Sequence, residues 1–317
     1  MTTTKRVDLS QVKTVSVRKR KSKVTLRQFA RPFDGDGDSF SEFVAGMPSI
    51  LKVNDLRALV DDILRSRRRN RPVIFMLGAH VIKVGLAPVL IDLLERKLVT
   101  MVAMNSAAAI HDVETALWGK TSEDVSASLL DGTFGMARET GEFVNGTLRK
   151  AFADSDRGYG EALGLELLEC KASHRDVSVL AACSSLGVPV TVHAAIGTDI
   201  THQQPSMDGA ATGELSFRDF RLFCEVCKSL SRGGVVLNVG SAVIMPEVFL
   251  KALTVARNLG ARARGFTTAV FDMNVHYRPT MNVQLRPTEG GGKGYSFTGH
   301  HEIMVPLLAA MLKQESV

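Results

Sequence analysis

Cysteine is scarce, with four residues in a chain of 317, far too few for a disulfide scaffold. Aromatic residues make up 6% and there is one tryptophan, Trp118, which argues against a β-sandwich or a stacking platform built on many rings. No apolar run reaches the roughly 18 residues that cross a bilayer. The opening stretch, MTTTKRVDLSQVKTVSVRKRK, has no continuous apolar core of the kind a signal peptide requires. A soluble, cytoplasmic protein is expected. Complete motifs are missing too: there is no GxGxxG dinucleotide fingerprint and no HExxH metal helix.

What is present is ordinary globular composition, 45% apolar and 23% charged, enough for one large α/β domain or two modest ones. The net charge of +6 is uneven: residues 1–31 carry ten lysines and arginines against one acid, Asp8. A +9 arm therefore precedes a body of −3. Such an arm suits phosphate contacts with a nucleic acid, an acidic neighbouring subunit, or plain solvation, although no aromatic interleaves with the charges before Phe29. Asp34-Gly35-Asp36-Gly37-Asp38 resembles a calcium loop but has Ser39 in the place of the turn glycine and no closing acid. It reads as a linker. Residues 1–41 are thus expected to be arm and linker, and 42–317 a single α/β domain.

From residue 42 an amphipathic helical pattern runs to the arginine cluster 65–71. Short apolar runs at 73–77, 99–104, 188–192, 235–237 and 266–271 then alternate with helical spacing, which predicts a parallel sheet covered by helices on both faces. In such a fold the ligand lies at the carboxyl ends of the strands. Small or polar residues follow each expected strand there: Gly78, Asn105-Ser106, Gly197 with Asp199, Gly240-Ser241, and Asp272. Beyond them Asp272, His276, His300, His301 and Glu302 form the densest polar cluster, suited to a cation or to proton transfer. A divalent metal joined by His111 and Asp112 is a rival reading, though adjacent His300 and His301 would point apart on a helix. Lys83 reads as a lysine snorkelling from an apolar stretch. Cys224 and Cys227, spaced CxxC inside a helical pattern, read as buried thiols.

The order of these elements and their words resembles the deoxyhypusine synthase family. The resemblance is carried by VIFMLGAHVIKVGL (73–86), VAMNSAAAIHDVETAL (102–117), residues 187–199 and 233–246, Phe271-Asp272 with Arg278-Pro279, and the closing MVPLLAAML. It implies a Rossmann-like sheet, a homotetramer, and NAD held between subunits. It also implies transfer of an aminobutyl group from a polyamine such as spermidine to an amine acceptor, through an imine on a lysine. Carried over by position, Gly78, Asn105, Ser106, Asp112, Gly197, Asp199, Gly240, Ser241 and His300 are the expected NAD contacts, and Asp272, His276 and Lys293 the expected catalytic groups. The family's Trp-Gly-Lys word, which holds the imine-forming lysine, is missing. Lys293, in Gly290-Gly291-Gly292-Lys293-Gly294, is the only lysine nearby and lies several residues late. The expectation is a divergent branch. It transfers the group to an amine acceptor, with Lys293 as a displaced nucleophile or by direct capture with a second small amine, or else it is a non-catalytic or differently catalytic relative that keeps the fold as a ligand- or partner-binding module.

Overall fold

The computed structural model describes residues 6–35, 37 and 39–315. Lys5 of the expected arm, and Asp36 and Asp38 of the expected linker, lie outside the described residues. The chain divides into two compact units, Met1–Asn54 and Asp55–Val317.

In the first unit, helix α1 (Phe40–Gly46) starts at a capping box. Ser39 Oγ accepts from the Glu42 amide at 3.3 Å, and the Glu42 carboxylate accepts from the Ser39 amide at 2.5 Å. The Arg31 amide donates to the Gly46 carbonyl at 2.9 Å, and Phe33 meets Phe43 edge-on. The described cationic side chains from Arg6 to Lys23 are exposed. The single helix expected from residue 42 is broken at Pro48, and α2 (Leu51–Arg68) follows, its residues from Asp55 on belonging to the second unit.

That unit is built on six parallel strands: β1 (Val73–Leu77), β2 (Met101–Asn105), β3 (Val190–His193), β4 (Val235–Val239), β5 (Thr267–Asp272) and β6 (Lys293–Thr298), in the order β3-β2-β1-β4-β5-β6. Between β1 and β2 lie α3 (Ala79–Lys83) and α4 (Ala87–Glu95). Between β2 and β3 lie α5 (Ser106–Trp118), α6 (Val125–Asp131), α7 (Arg138–Asp154), α8 (Tyr159–Glu169) and α9 (Val179–Leu186). The helices α10 (Gly209–Lys228), α11 (Ile244–Asn258), the short α12 (Tyr277–Pro279) and α13 (His301–Glu315) complete the cover. The α/β, Rossmann-like class expected from the alternation is what the chain adopts. Every residue of β1, β4 and β5 is buried, and β1 accordingly reads as a continuous apolar run, while β4 buries Asn238 and β5 buries Thr267, Thr268 and Asp272. The core joins Ile74, Met76 and Val236 to Phe223, Phe249 and Phe266, with Cys224 and Cys227 among them as buried, inert thiols.

The order reverses between β1 and β4: the chain moves from β1 out to β3, then returns to β4 on the other side. Such a reversal opens a crevice beyond the carboxyl ends of the two strands. Here it is pinched. A Cβ on Gly78 would lie 1.9 Å from the Gly240 carbonyl oxygen, so the turns after β1 and β4 touch backbone to backbone.

Candidate functional site

All six strands are parallel, so their carboxyl ends share one edge. Loops deliver Gly78, Asn105-Ser106, 194–199, Gly240-Ser241, 272–276 and 299–301 to it. Several of the expected contacts are spent on holding the fold. The Gly78 amide donates to the Val239 carbonyl and the Gly240 amide to the Phe271 carbonyl, each at 2.9 Å, so neither is available to a phosphate. Asn105 Oδ1 caps α5 by accepting from the Ala108 amide at 3.0 Å, and Ser241 Oγ accepts from the Met245 amide at 3.1 Å.

Asp112 is a clear correction. It faces inward from α5, fully buried, and caps α9: it accepts from Ser178 Oγ at 2.5 Å and from the Val179 and Leu180 amides at 2.8 and 3.1 Å. Burial pushes its carboxyl up to about 6 against those donors. Its two oxygens are taken by these three donors, and no metal-ligand cluster occurs among the described residues.

Lys293 is the second correction. It opens β6 in register with Thr267, at the amino edge of the sheet, while Asp272 pairs with Thr298 five residues on. At about 3.3 Å per residue that places Lys293 roughly 17 Å from the Asp272 level. Its ammonium donates to both oxygens of Asp62, on α2, at 3.0 Å. In this chain its ammonium is thus paired with Asp62 and stands away from Asp272 and His276.

His300 and His301 take different environments. The His300 ring is exposed and lies 3.7 Å from Glu302, while the next residue, His301, turns inward over the Gly240 turn. A Cβ on Gly240, whose φ is +71°, would come within 2.7 Å of His301 Nε2. Neither His301 ring nitrogen has a hydrogen-bond partner of ordinary geometry. Burial lowers its pKa, with Asp272 opposing. Adjacent histidines at a helix start do point apart, and it is His301, a member of the polar cluster but not one of the expected NAD contacts, that turns inward.

The structure keeps the other expected residues at the edge. Asp272 ends β5, 7% exposed, with His276 Nε2 3.7 Å away and the Asn274 amide donating to it at 3.3 Å. On the far side of the reversal, Ser106 Oγ donates to Asp199, whose pKa burial raises while Ser106 and His202 hold it down. The Gly197 and Asp199 amides both donate to His202 Nδ1, at 3.1 and 3.2 Å. The ring proton is therefore on Nε2, which is buried, without a hydrogen bond, and 3.8 Å from Asp199.

A cavity of about 750 Å³ opens beside Asp199 and Thr198. One face of α5 floors it: Ala107, Ile110, His111, Glu114 and Trp118, spaced to align on one side of the helix. The groove thus runs outward from the sheet edge. Its charged lining comprises four carboxylates, Glu114, Glu123, Glu139 and Asp199, against two ammonium groups, Lys83 and Lys120. His111 lies here, with Thr121 and Glu114, neither of which the sequence singled out.

No family model matches the chain, and no curated protein does. Solved structures share its fold. A candidate deoxyhypusine synthase from Entamoeba histolytica is 12% identical, with a TM-score of 0.54 over 89% of this chain and 96% of that one. AgrE, in a ternary complex with ornithine and NAD+, is 14% identical, with a TM-score of 0.53 over 82% of this chain. A candidate LOR/SDH protein from Methanococcus maripaludis S2 is 13% identical, with a TM-score of 0.52 over 83% of this chain and 69% of that one. This chain spans 33% of the length of AgrE. At these identities the likeness is one of fold.

Proposed function

We propose that this protein is an NAD-dependent transferase that moves an aminobutyl, or closely related alkylamine, group from a polyamine such as spermidine to a small amine acceptor. The observation that carries the reading is the acid-rich groove along α5, opening at the carboxyl edge beside a buried carboxylate. A polycation with apolar methylene spacers suits a lining in which Glu114, Glu123, Glu139 and Asp199 alternate with Ile110, Trp118 and Phe134, Glu114 being held by two threonines and Glu139 paired with Arg138 at 3.0 Å.

The residues present fit a dinucleotide. Asp199, whose carboxylate meets Ser106 after β2, and Asp272, ending β5, lie on the two flanks of the reversal, so an extended ligand along the carboxyl edge would meet both. Between them lie the unpartnered ring nitrogens of His301. The turn amides of Gly78 and Gly240 are engaged, so Ser106, Asp199, His301 and Asp272 would hold the cofactor through side chains, and Lys83 at the groove is the cation nearest to hand for a phosphate. Bound NAD supplies a hydride acceptor. The protein's own residues do the rest. Asp199 and Asp272 counter the charge of the amine, and His276 beside Asp272 holds a proton. The walls of the groove keep the substrate extended and shed its water. AgrE supports the pairing of ligands, since its structure holds an alkylamine, ornithine, with NAD+. The placement of Lys293 favours direct capture of the oxidised group by a second amine.

The test is thermal and chemical. NAD raises the melting temperature, by about 2.7 kcal/mol of stabilisation at a hundred times its Kd, and spermidine raises it further. Labelled spermidine with putrescine and NAD then yields a homospermidine-type product and releases 1,3-diaminopropane. No shift with millimolar NAD overturns the reading. A shift without product reduces the protein to a ligand-binding module.

A further inference from the structure

The groove holds a hydrogen-bonded chain that the site described above does not use. His111 Nδ1 lies 2.6 Å from Thr121 Oγ1, and Thr121 Oγ1 donates to Glu114 Oε2 at 2.5 Å. The other Glu114 oxygen accepts from Thr140 Oγ1 at 2.9 Å. A threonine hydroxyl has one proton, and here it goes to the carboxylate. Its oxygen must then accept from His111, so the imidazole carries its proton on Nδ1 and its lone pair on Nε2. His111 is among the residues lining the groove.

We propose that His111, held by Thr121 and Glu114, is the base that takes a proton from an alkylammonium group lying along α5 in this groove. The proposal rests on the amine-transfer reading and names the residue that makes the amine reactive. Hydride can leave the carbon beside nitrogen only once the nitrogen lone pair is free. The N–H bond of the ammonium breaks, a bond from Nε2 to that proton forms, and the positive charge passes to the imidazolium. Thr121 stays in place and Glu114 balances the new charge through it. Thr121 and Glu114 are positioning residues, and Thr140 fixes the carboxylate.

The surroundings suit the task. Burial lowers the His111 pKa, Glu114 opposes this, and Lys83 on α3 adds to it. The other charges on the groove come from Lys120 and Glu123 on the loop after α5, from Glu139 on α7, and from Asp199 after β3. Carboxylates outnumber ammonium groups two to one, so an amine enters in its cationic form. The half-exposed indole of Trp118 offers a face to a cation.

The experiment needs no NAD for its first readout. In protein labelled with 15N-histidine, the His111 ring resonances are assigned by their loss in His111→Gln. The free protein should show the Nδ1–H tautomer, and spermidine should shift these resonances while 1,8-octanediol leaves them in place. Thr121→Val should mix the tautomers and lower the His111 titration midpoint by about half a unit or more, and Thr121→Ser should restore both. In turnover with NAD, His111→Gln should lower kcat by about a hundredfold or more with KM little changed. An Nε2–H tautomer in the free protein, or resonances indifferent to spermidine, overturns the proposal. Full turnover by His111→Gln overturns it too, and leaves the transferase reading standing. Resonances that behave as stated in a protein without turnover refute that reading instead, and with it the assignment of His111 as a catalytic base.

Discussion

Replacing Gly78 with alanine tests the pinch between β1 and β4, on which the shape of the edge depends. The added Cβ would sit 1.9 Å from the Gly240 carbonyl oxygen, 2.4 Å from its carbon and 2.9 Å from the Ser241 amide nitrogen. These are backbone atoms and cannot rotate aside. Restoring van der Waals contact parts the two turns by about 1.5 Å, which also strains the Gly78 amide bond to Val239. Overpacking of this kind costs about 1–3 kcal/mol, and a weakened buried backbone hydrogen bond about 1–3 more, so the loss should be about 2–6 kcal/mol. At about 2–4 °C per kcal/mol for a domain of this size, the melting temperature falls by roughly 10 °C, read by circular dichroism with urea titration as a check. Gly213→Ala is the control. Gly213 lies within α10, exposed, and a Cβ there meets nothing within 4 Å, so alanine should stabilise by about 0.5–1 kcal/mol. If Gly78→Ala melts within 2 °C of the parent protein, the turns are not in contact and the closed reversal is wrong.

Lys293→Met should leave turnover within twofold of the parent. It should cost less than about 1 kcal/mol, because the lysine is half-exposed and Asp62 keeps Arg65 at 2.7 Å and Thr267 at 3.0 Å; a hundredfold loss of activity would return Lys293 to the catalytic apparatus. Asp219, fully buried on α10, accepts from the Val192 and Gly160 amides at 2.6 and 2.9 Å through one oxygen. Burial pushes its carboxyl up to about 8. A raised carboxyl binds its proton more tightly in the folded state, so its contribution is complete below about pH 4 and is lost as pH rises through 8. Urea midpoints should therefore fall less between pH 5 and pH 8 in Asp219→Asn than in the parent protein, while Asp219→Ala, which orphans both amides, should lose about 3 kcal/mol or more at pH 5. Equal pH slopes for the parent and Asp219→Asn would show that Asp219 is ionised throughout.

Five of the six strands were legible because each carries a short, β-branched or apolar stretch closed by a small or polar turn residue and followed by helical spacing. The sixth was not. Lys293-Gly294-Tyr295-Ser296-Phe297-Thr298 is an edge strand paired only with β5 and buried at a single residue, Phe297, so it reads as loop. Helix α8 was hidden by its glycines, which dilute the helical pattern. They are there for contact: a Cβ on Gly160 would meet the Val190 carbonyl at 2.6 Å, and one on Gly164 the Leu180 carbonyl at 2.4 Å. For the site, turn chemistry brought Ser106, Asp199 and Asp272 to the right edge. It also brought Asn105, Asp112 and Ser241, because a short polar side chain that caps a helix has the same composition and spacing as one that greets a ligand. Lys293 misled through nearness in sequence, since β6 carries it to the opposite edge from residues only twenty positions away. Glu114 and Thr121 gave no signal. Seven residues separate them, and only the turn after α5 brings the hydroxyl back to the carboxylate.

The closed reversal changes what kind of recognition this edge can perform. Where a glycine-rich turn leaves its amides free, backbone donors grip a phosphate whatever the rest of the ligand is. Here the amides of Gly78 and Gly240 are consumed by the Val239 and Phe271 carbonyls, and the helix that follows β1 is only five residues long. Recognition passes to side chains, and those concentrated here are carboxylates and imidazoles, Asp199 and His202 on one flank and Asp272, His276 and His301 on the other. Carboxylates hold cations, and neutral imidazoles accept or pass protons. The edge is thus better furnished for a cation than for the anionic part of a nucleotide, and under the proposed function NAD affinity should be salt-sensitive, leaning on a few exposed cations such as Lys83 instead of on a fixed backbone cradle.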